Sequence, residues 1–228
     1  MSDRARVLVK EKIADSGVEQ LQELFDVDLG IDMSDEELLE KIGEYDAILI
    51  RSATKLTPEL IERADNMKVI GRAGTGVDNV DIPAATKRGI IVANAPESNS
   101  VAAAEHTLAL ALALFRNVPQ AHASLVAGRW DRGLYKGSEL YGKTLGVIGF
   151  GRIGQLVAKR AQAFDMEVLA FDKFVSAERF KDLGVEGVDS VDEIYKRADL
   201  LTIHLPKTPE TVNWIDAEAI AKFKPGMR

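Results

Sequence analysis

Two arginines stand where the chain could bind an anion. The segment GRAGTG at 71–76 separates Arg72 by one residue from an apolar run that ends at Ile70, and places it just before further glycines. Arg51 follows the apolar run AILI at 47–50 directly. A cation beside a buried strand is costly unless an anion meets it, and the guanidinium fork suits a phosphate better than an ammonium does. The alternative is that both arginines pair with Asp or Glu side chains.

The glycine-rich turn after Arg72 offers a second kind of anion contact. Glycines on both sides of Thr75, at Gly74 and Gly76, let backbone N–H groups approach a carboxylate closely. A small substrate with a phosphate at one end and a carboxylate at the other would fit both features. The residues alone thus leave two interpretations equally open: a phosphorylated acid with its phosphate between Arg51 and Arg72, or two arginines that pair with acidic side chains.

A further segment indicates a dinucleotide site. The sequence GFGRIG at 149–154 is a G-x-G-x-x-G pattern between an apolar run and a helical pattern, and Asp172 closes the next apolar run. Its glycines allow a tight turn, close approach of pyrophosphate and close packing of helix on strand. The N–H groups at Arg152 and Ile153 would face a phosphate. Asp172 would accept hydrogen bonds from the ribose hydroxyls and repel a 2′-phosphate, which favours NAD over NADP. The alternative is a turn without a ligand, with Asp172 solvated.

The elements that must position these residues alternate between strands and helices, as in an α/β protein with parallel strands. Strands are predicted at 6–9, 27–29, 47–50, 69–70, 90–93, 145–148, 168–171 and 200–204. Helices are predicted at 17–24, 35–42, 58–64, 83–88, 153–164, 177–183, 191–197 and 216–222, with two more between 99 and 127. Ser34 with Glu37 is typical of a capping box, and Thr57 precedes a first-turn proline.

The chain is predicted to form two domains. Asn94-Ala95-Pro96 breaks the first α/β pattern, so we expect one domain over 1–96 and a second over 97–228. The second begins with the helices at 99–127, which are apolar over much of their circumference. Such helices must be buried by another domain or another subunit, which predicts a homodimer or a higher homo-oligomer built on them.

Composition excludes several other classes of protein. The net charge of -7 argues against nonspecific binding of nucleic acid or of an anionic membrane surface. The chain has no cysteine, and its three histidines, His106, His122 and His204, show no metal-ligand spacing. The charged start has no signal-peptide core, and the apolar run 101–115 is too short to span a bilayer. We therefore expect a cytoplasmic protein.

These motifs together resemble those of the D-isomer-specific 2-hydroxyacid dehydrogenases. The resemblance covers essentially the whole chain, and it rests on the following segments: RSATKLT (51–57), GRAGTGVDNVDIPAATKRGI (71–90), NAPESNSVAAAEHTLAL (94–110), GRWDRGLYKGSELYGKTLGVIGFGRIG (128–154) and ADLLTIHLP (198–206). It implies a flavodoxin-like substrate domain followed by a Rossmann-type dinucleotide-binding domain. The arginines at 51 and 72 are the residues that single out a member acting on a phosphorylated substrate.

The resemblance also implies which residues contact the ligands. The expected substrate contacts are Arg51, Arg72, Gly74, Asn99 and Arg132, the last of them reaching into a partner subunit. The expected NAD contacts are Thr75, Gly149, Gly151, Arg152, Ile153, Gly154, Asp172, His204, Leu205 and Pro206. For His204, a histidine that is only packed is an equally open interpretation.

The resemblance places the catalytic groups elsewhere. In the family an arginine, a glutamate and a histidine perform the acid–base work, and all three belong to segments after the one that matches 221–228. None of the three histidines here matches the catalytic one, and His106 is expected to be a core or interface residue. We therefore expect a C-terminally truncated member with an incomplete Rossmann sheet, inactive alone.

Two other functions stay open at this stage. One is a dehydrogenase of the same family that acts on an unphosphorylated acid of the glyoxylate or D-lactate type, which would not need two arginines. The other is a non-catalytic module that binds NAD or mediates oligomerisation.

Overall fold

The structure is a computed structural model that describes residues 4–228. These residues divide into two compact units, with the division between Asn99 and Ser100. Sequence analysis placed this boundary between 96 and 97.

The first unit contains a five-stranded parallel sheet. Its strands are β1 (Arg6–Val9), β2 (Asp26–Leu29), β3 (Ala47–Ile50), β4 (Val69–Arg72) and β5 (Ile91–Asn94). They lie in the order β2-β1-β3-β4-β5. This is the flavodoxin-like order, in which the order of the parallel strands reverses between β1 and β3 and leaves a crevice at the carboxyl ends of those strands. The predicted flavodoxin-like fold is confirmed.

Four helices connect the strands of this unit. They are α1 (Asp15–Leu24), α2 (Asp35–Lys41), α3 (Pro58–Arg63) and α4 (Ile82–Lys87), and a 3₁₀ turn at Ile42–Glu44 follows α2. The capping box predicted at the start of α2 is present: the Glu37 N–H donates to Ser34 Oγ at 3.2 Å, and the Ser34 N–H donates to the Glu37 carboxylate at 3.0 Å. Ile48, Ile50 and Ile70 pack against α2, α3 and α4 in the core.

The second unit contains a four-stranded parallel sheet. Its strands are β6 (Thr144–Ile148), β7 (Glu167–Phe171), β8 (Glu186–Gly187) and β9 (Leu200–Ile203), in the order β8-β7-β6-β9. With the strands counted from β6, this is the order 3-2-1-4 found in the first part of a Rossmann fold. The predicted Rossmann-type unit is confirmed.

Six helices belong to the second unit. They are α5 (Ser100–Arg116), α6 (Val118–Val126), α7 (Arg152–Gln162), α8 (Ala177–Asp182), α9 (Val191–Arg197) and α10 (Ala217–Ala221). Helix α5 packs against α7, and its residues Ala104, Leu108, Ala111 and Phe115 are buried in the core of this unit. The second unit therefore buries one face of α5 by itself.

The other face of α5 and much of α6 stay uncovered. Leu110 and Leu114 on α5, and Leu125 and Val126 on α6, are exposed large apolar side chains. His106 is also exposed, so it does not lie in the core, and its expected place at an interface stays a prediction. No single helix in residues 4–228 is long and apolar enough to cross a membrane. Helices α5 and α6 have that length and apolar composition only when taken together, and the pair is bent by 65°.

The remaining differences from the predicted elements are small. Strand β4 continues through Arg72 instead of ending at Ile70, and α7 ends at Gln162 instead of 164. The two-residue strand β8 was not predicted, because its Glu-Gly sequence contains no apolar run. Asp165, with φ of 54°, lies in the turn that follows α7.

Candidate functional site

The first candidate site is a cavity in the first unit at the carboxyl ends of its strands. Strands β3 and β4 pair in parallel with Ile50 opposite Arg72, so Arg51 and Arg72 emerge at the same edge of the sheet. Both arginines line a cavity of about 770 Å³. Lys12, Gly74 and Asn99 also line it. Four of the predicted substrate residues, Arg51, Arg72, Gly74 and Asn99, therefore lie together.

Arg72 is half-buried and has no counter-ion. Neither it nor Arg51 forms an ion pair within the part of the chain that the structure describes. The Arg72 Nε is buried without a hydrogen-bond partner. A buried donor of a charged group that lacks an acceptor costs free energy. The arrangement is thus suited to an anion, and the alternative of an Asp or Glu partner does not describe these two arginines.

The glycine turn differs in one detail from the prediction. The Gly74 N–H donates to the Arg72 carbonyl at 2.8 Å, so it is not available to a carboxylate. A Cβ at Gly74 would meet the Arg72 guanidinium, so this glycine contributes space for the arginine. The prediction that the Gly74 amide binds substrate is therefore corrected, and Thr75 and Gly76 are the remaining candidate donors of the turn.

Thr75 is linked to Asn99 within the same unit. Its hydroxyl donates to Asn99 Oδ1 at 2.7 Å, and its carbonyl accepts from Asn94 Nδ2 at 2.6 Å. These bonds fix the turn to the last residue of β5 and to the segment that follows it. Thr75, predicted as a cofactor contact, thus lies beside a predicted substrate contact.

Sequence reasoning missed Glu11, which holds the segment that carries Arg51. Its carboxylate accepts from the backbone N–H of Arg51 at 2.8 Å, of Ala53 at 3.1 Å and of Thr54 at 2.9 Å. Asn79 supports the same segment, because its Nδ2 donates to the carbonyls of Arg51 at 2.8 Å and Thr54 at 2.6 Å. The backbone at Arg51 is therefore fixed from two sides, while its side chain is exposed at the cavity.

The charge of Glu11 contributes to stability in a pH-dependent way. Burial would raise the pKa of its carboxyl, but the N–H groups of Thr54, Arg51 and Ala53 hold the pKa below its ordinary value of 4.5. Since the folded-state pKa is the lower one, the contribution is complete above that ordinary value. It is lost as the pH falls through the folded-state pKa.

Replacing Glu11 with glutamine is expected to lower the free energy of unfolding at neutral pH by about 1 kcal/mol, after screening by solvent. Chemical denaturation of both proteins at several pH values measures the difference, which should vanish in acid. Glu19→Gln, at an exposed site on α1, is the matched control. A difference that is independent of pH would contradict the role of the charge.

The second candidate site is the turn between β6 and α7 in the second unit. Gly149 has φ of 89°, and a Cβ there would meet the His204 carbonyl at 2.7 Å. A Cβ at Gly154 would meet the Gly149 carbonyl, so this glycine permits the close packing of α7 on β6. At Gly151 a Cβ would meet nothing within 4 Å. Open space therefore lies next to Gly151, just where the first-turn N–H groups of α7 lack intrahelical acceptors.

Asp172 lies next to this turn at the end of β7. One carboxylate oxygen accepts from the Phe150 N–H at 2.8 Å, and the other accepts from the Phe174 N–H at 2.8 Å. Each oxygen keeps a further lone pair for a ligand hydroxyl. Asp172 also lines a cavity of about 610 Å³ together with Lys173 and Lys181. Two lysines at this cavity were not foreseen, and they oppose the repulsion of a 2′-phosphate by Asp172.

The segment His204–Pro206 follows β9 at the same edge of this sheet. The His204 N–H donates to the Ile148 carbonyl at 2.8 Å, which keeps the segment beside β6. The ring nitrogen Nε2 pairs with Thr202 Oγ1 at 2.9 Å, and burial lowers the pKa of His204. The imidazole is therefore held neutral by its surroundings near neutral pH, and its backbone lies against Gly149. Leu205 and Pro206 line a smaller cavity with Trp214.

Arg132 stands apart from the groups just described. It lies exposed in the segment between α6 and β6, and it lines none of the cavities described above. Its predicted contact with a partner subunit stays a prediction.

Comparison with known proteins identifies a family. Residues 108–228 match the family model of the NAD-binding domain of D-isomer-specific 2-hydroxyacid dehydrogenases. A D-3-phosphoglycerate dehydrogenase of Methanocaldococcus jannaschii is 50% identical over 219 residues, which are 96% of this chain and 42% of that protein. The chain thus spans about two fifths of the length of this curated relative.

Solved structures share the fold. The TT0316 protein of Thermus thermophilus is 35% identical with a TM-score of 0.87, and the match covers 96% of this chain and 70% of that one. A D-lactate dehydrogenase of Aquifex aeolicus, solved with NAD and lactic acid, is 29% identical with a TM-score of 0.82. That match covers 96% of this chain and 66% of the other.

Proposed function

This chain belongs to the D-isomer-specific 2-hydroxyacid dehydrogenase family and carries its NAD-binding domain, and from this premise we propose that it is part of a D-3-phosphoglycerate dehydrogenase. The reaction is the NAD-dependent oxidation of D-3-phosphoglycerate to 3-phosphohydroxypyruvate, the first step of serine synthesis. The relative of Methanocaldococcus jannaschii that bears this name is 50% identical to the chain.

The observation that carries the proposal is the pair Arg51 and Arg72. They line one cavity at the carboxyl edge of the flavodoxin-like sheet, they have no acidic partner within residues 4–228, and the Arg72 Nε is buried without an acceptor. A phosphate would supply that acceptor and match the guanidinium geometry. An unphosphorylated acid of the D-lactate type has a single anionic group, its carboxylate, so with that group at the turn after Arg72 it would bring no second anion to the two arginines.

The turn after Arg72 would hold the other end of the substrate. The N–H groups of Thr75 and Gly76 point to a carboxylate contact, and the bond between Thr75 and Asn99 keeps the turn in place. Binding at both ends would fix the hydroxyl-bearing carbon between them. The role of these residues is therefore to orient the substrate.

The residues of the second unit fit a dinucleotide. Gly151 leaves room that a Cβ would fill, the amino end of α7 faces that room, and Asp172 can accept from a ribose hydroxyl. These residues would hold the pyrophosphate and the adenosine ribose of NAD. When bound, NAD supplies the acceptor for the hydride that leaves the substrate carbon. The neutral His204 and its neighbours would form a wall of this site.

We assign no acid–base residue to these 228 residues. No histidine lines the cavity that holds Arg51 and Arg72 in the described structure, and His204 is engaged with Thr202. The isolated chain should therefore bind the substrate and NAD without turning them over. Steady formation of NADH from the pure chain with both compounds would contradict this part of the proposal.

Mapping of the bound substrate by amide NMR tests the proposed function. Addition of 3-phosphoglycerate to the chain should shift the amides of Ala73, Thr75 and Gly76 in a saturable way. D-lactate, which lacks the phosphate, should shift them weakly or only at much higher concentration. If D-lactate bound as tightly as 3-phosphoglycerate, the family member would be one of the D-lactate type.

Replacing Asp172 with asparagine is expected to weaken NAD binding by about tenfold, because a charge-assisted hydrogen bond to the ribose is lost. NADP binding should become stronger, since Lys173 and Lys181 would face its 2′-phosphate without the opposing carboxylate. Calorimetric titration of both nucleotides against both proteins measures the change. Tighter binding of NADP than of NAD by the unmodified chain would overturn the assigned preference.

We also propose that the chain forms a homodimer through α5 and α6. The exposed residues Leu110, Leu114, Leu125 and Val126 lie on these two helices. An apolar surface of this kind marks an interaction site.

Replacing Leu110 and Leu114 together with glutamate is expected to convert the dimer to a monomer, because four charges would be buried in a symmetric interface. Light scattering at micromolar concentration measures the mass. Leu24→Glu, at an exposed apolar site on α1, is the control and should leave the mass unchanged. An unmodified chain that runs as a monomer would contradict the proposed dimer.

A further inference from the structure

Asn79, in the segment between β4 and α4, holds the backbone that carries Arg51. Its Nδ2 donates to the Arg51 carbonyl at 2.8 Å and to the Thr54 carbonyl at 2.6 Å. A carbonyl can only accept, so the amide nitrogen must face both groups and the orientation of the side chain is fixed. Asn79 itself does not line the cavity that holds Arg51 and Arg72. Any effect of Asn79 on a ligand there would therefore pass through the residues that it holds.

The Asn79 side chain is held in this orientation at a cost. Its Oδ1 is buried and accepts no hydrogen bond from any residue in the described part of the chain. A buried acceptor without a donor is unfavourable. Local exceptions of this kind to full hydrogen bonding are expected at functional sites. The two bonds from Nδ2 thus point to a role in shaping the neighbouring cavity.

The backbone keeps Asn79 in place independently of its side chain. The Asn79 carbonyl accepts from the Leu56 N–H at 2.8 Å, and the Asp81 N–H donates to the Leu56 carbonyl at 3.0 Å. Leu56 and Val80 form a parallel bridge, and both side chains are buried in the core of this unit. Loss of the Asn79 amide should therefore leave this segment folded and release only the carbonyls at 51 and 54.

The direction of the Arg51 side chain depends on the backbone that Asn79 holds. This side chain is exposed, and its Nη1 donates to the Lys12 carbonyl at 3.4 Å, which is a long and weak contact. A guanidinium binds a phosphate best through two parallel N–H···O bonds, which require close alignment. A shift of the Arg51 backbone would misplace both bonds at once.

We propose that Asn79 is a positioning residue of the phosphate site, which aligns Arg51 with the oxyanion and so contributes to the preference for a phosphorylated substrate. The inference rests on the proposed function for the identity of the substrate, but the alignment of Arg51 applies equally to inorganic phosphate. Asn79 is uncharged, so its replacement by a neutral residue leaves the charge near the anion unchanged. A loss of affinity would then report geometry.

Titration of the whole chain with 3-phosphoglycerate and with glycerate, followed by amide NMR at Ala73 in the cavity, tests the inference. Asn79→Ala should lower the affinity for 3-phosphoglycerate by about three- to tenfold and leave the affinity for glycerate unchanged. A merely structural role would lower both affinities together, because unfolding weakens the binding of every ligand. Asn79→Gln, which keeps the carboxamide, should restore part of the lost affinity.

Asn66 provides the matched control. Its Nδ2 also donates to a backbone carbonyl, that of Gly43 at 2.8 Å, but it lies before the start of β4, at the opposite edge of the sheet. Asn66→Ala should change neither affinity. Asn79→Leu, which is apolar and similar in size, replaces Asn79→Ala if that variant does not fold.

Inorganic phosphate separates this inference from the proposed function. Phosphate should shift the Ala73 amide in a saturable way, and Asn79→Ala should weaken its binding by a similar factor. Equal affinity of the unmodified chain for 3-phosphoglycerate and glycerate would contradict the proposed function, whereas the phosphate titration would still decide the role of Asn79. The inference is overturned if the neutral variants at Asn79 bind phosphate as tightly as the unmodified chain, or if they lose affinity for glycerate to the same extent. It is equally overturned if phosphate does not bind.

Discussion

Replacing Arg72 with methionine is expected to lower the affinity of the chain for 3-phosphoglycerate by about ten- to a hundredfold. The guanidinium has no acidic partner within residues 4–228, and its Nε is buried without an acceptor, so a bound phosphate would be its main counter-charge. Charge-assisted hydrogen bonds of this kind contribute about 1.5–3 kcal/mol each. Methionine keeps most of the length of the side chain and removes the charge. Isothermal titration calorimetry of both proteins measures the loss.

Two controls separate the charge from the packing at this position. Arg63→Met, on α3 and away from the cavity, should leave the affinity unchanged. Arg72→Lys keeps a positive charge but loses the fork geometry, so its affinity should lie between those of the other two proteins. An Arg72→Met variant that binds 3-phosphoglycerate as tightly as the unmodified chain would remove the phosphate assignment from this residue.

Replacing Gly151 with alanine is expected to weaken NAD binding by about tenfold or more while leaving the fold intact. The backbone at Gly151, with φ of -72° and ψ of -159°, is extended, and a Cβ there would meet nothing within 4 Å. Alanine should therefore fit the free protein. Its methyl group would instead occupy the space through which the pyrophosphate approaches the amino end of α7. Calorimetric titration with NAD and thermal unfolding measure the two effects separately.

Other glycines of the chain provide matched comparisons. A Cβ at Gly133 also meets nothing within 4 Å, so Gly133→Ala should change neither NAD affinity nor stability. Gly154→Ala should instead destabilise the unit, because its Cβ would meet the Gly149 carbonyl. If Gly151→Ala bound NAD normally, the pyrophosphate would not approach the chain at this glycine.

The parts of the fold that could be predicted are those with a local signal. Apolar runs and caps marked most strands and helices, and the position of Arg72 after such a run predicted that it would lie at the carboxyl edge of a sheet. Parallel pairing then brought it next to Arg51. The roles of Gly149 and Gly154 could be predicted from the sequence pattern. The structure shows the reason, because a Cβ at either position would meet a backbone group.

The parts that could not be predicted depend on partners distant in the sequence. Glu11 is one of 36 acidic residues, and nothing nearby shows that the N–H groups at Arg51, Ala53 and Thr54 will converge on it. Gly74 was expected to offer its amide, but the turn directs that amide to the Arg72 carbonyl. A hydrophobic pattern predicts neither the contacts of Glu11 nor the direction of the Gly74 amide, because both depend on the backbone geometry of the folded chain.

The comparison of 3-phosphoglycerate with glycerate tests the central claim most directly. The two acids share the carboxylate and the hydroxyl-bearing carbon and differ in the phosphate that we assign to Arg51 and Arg72. Titration of the unmodified chain with each by calorimetry gives two dissociation constants. We predict that glycerate binds more weakly by about tenfold or more. Equal affinity for the two acids would contradict the assignment of this cavity to a phosphorylated substrate.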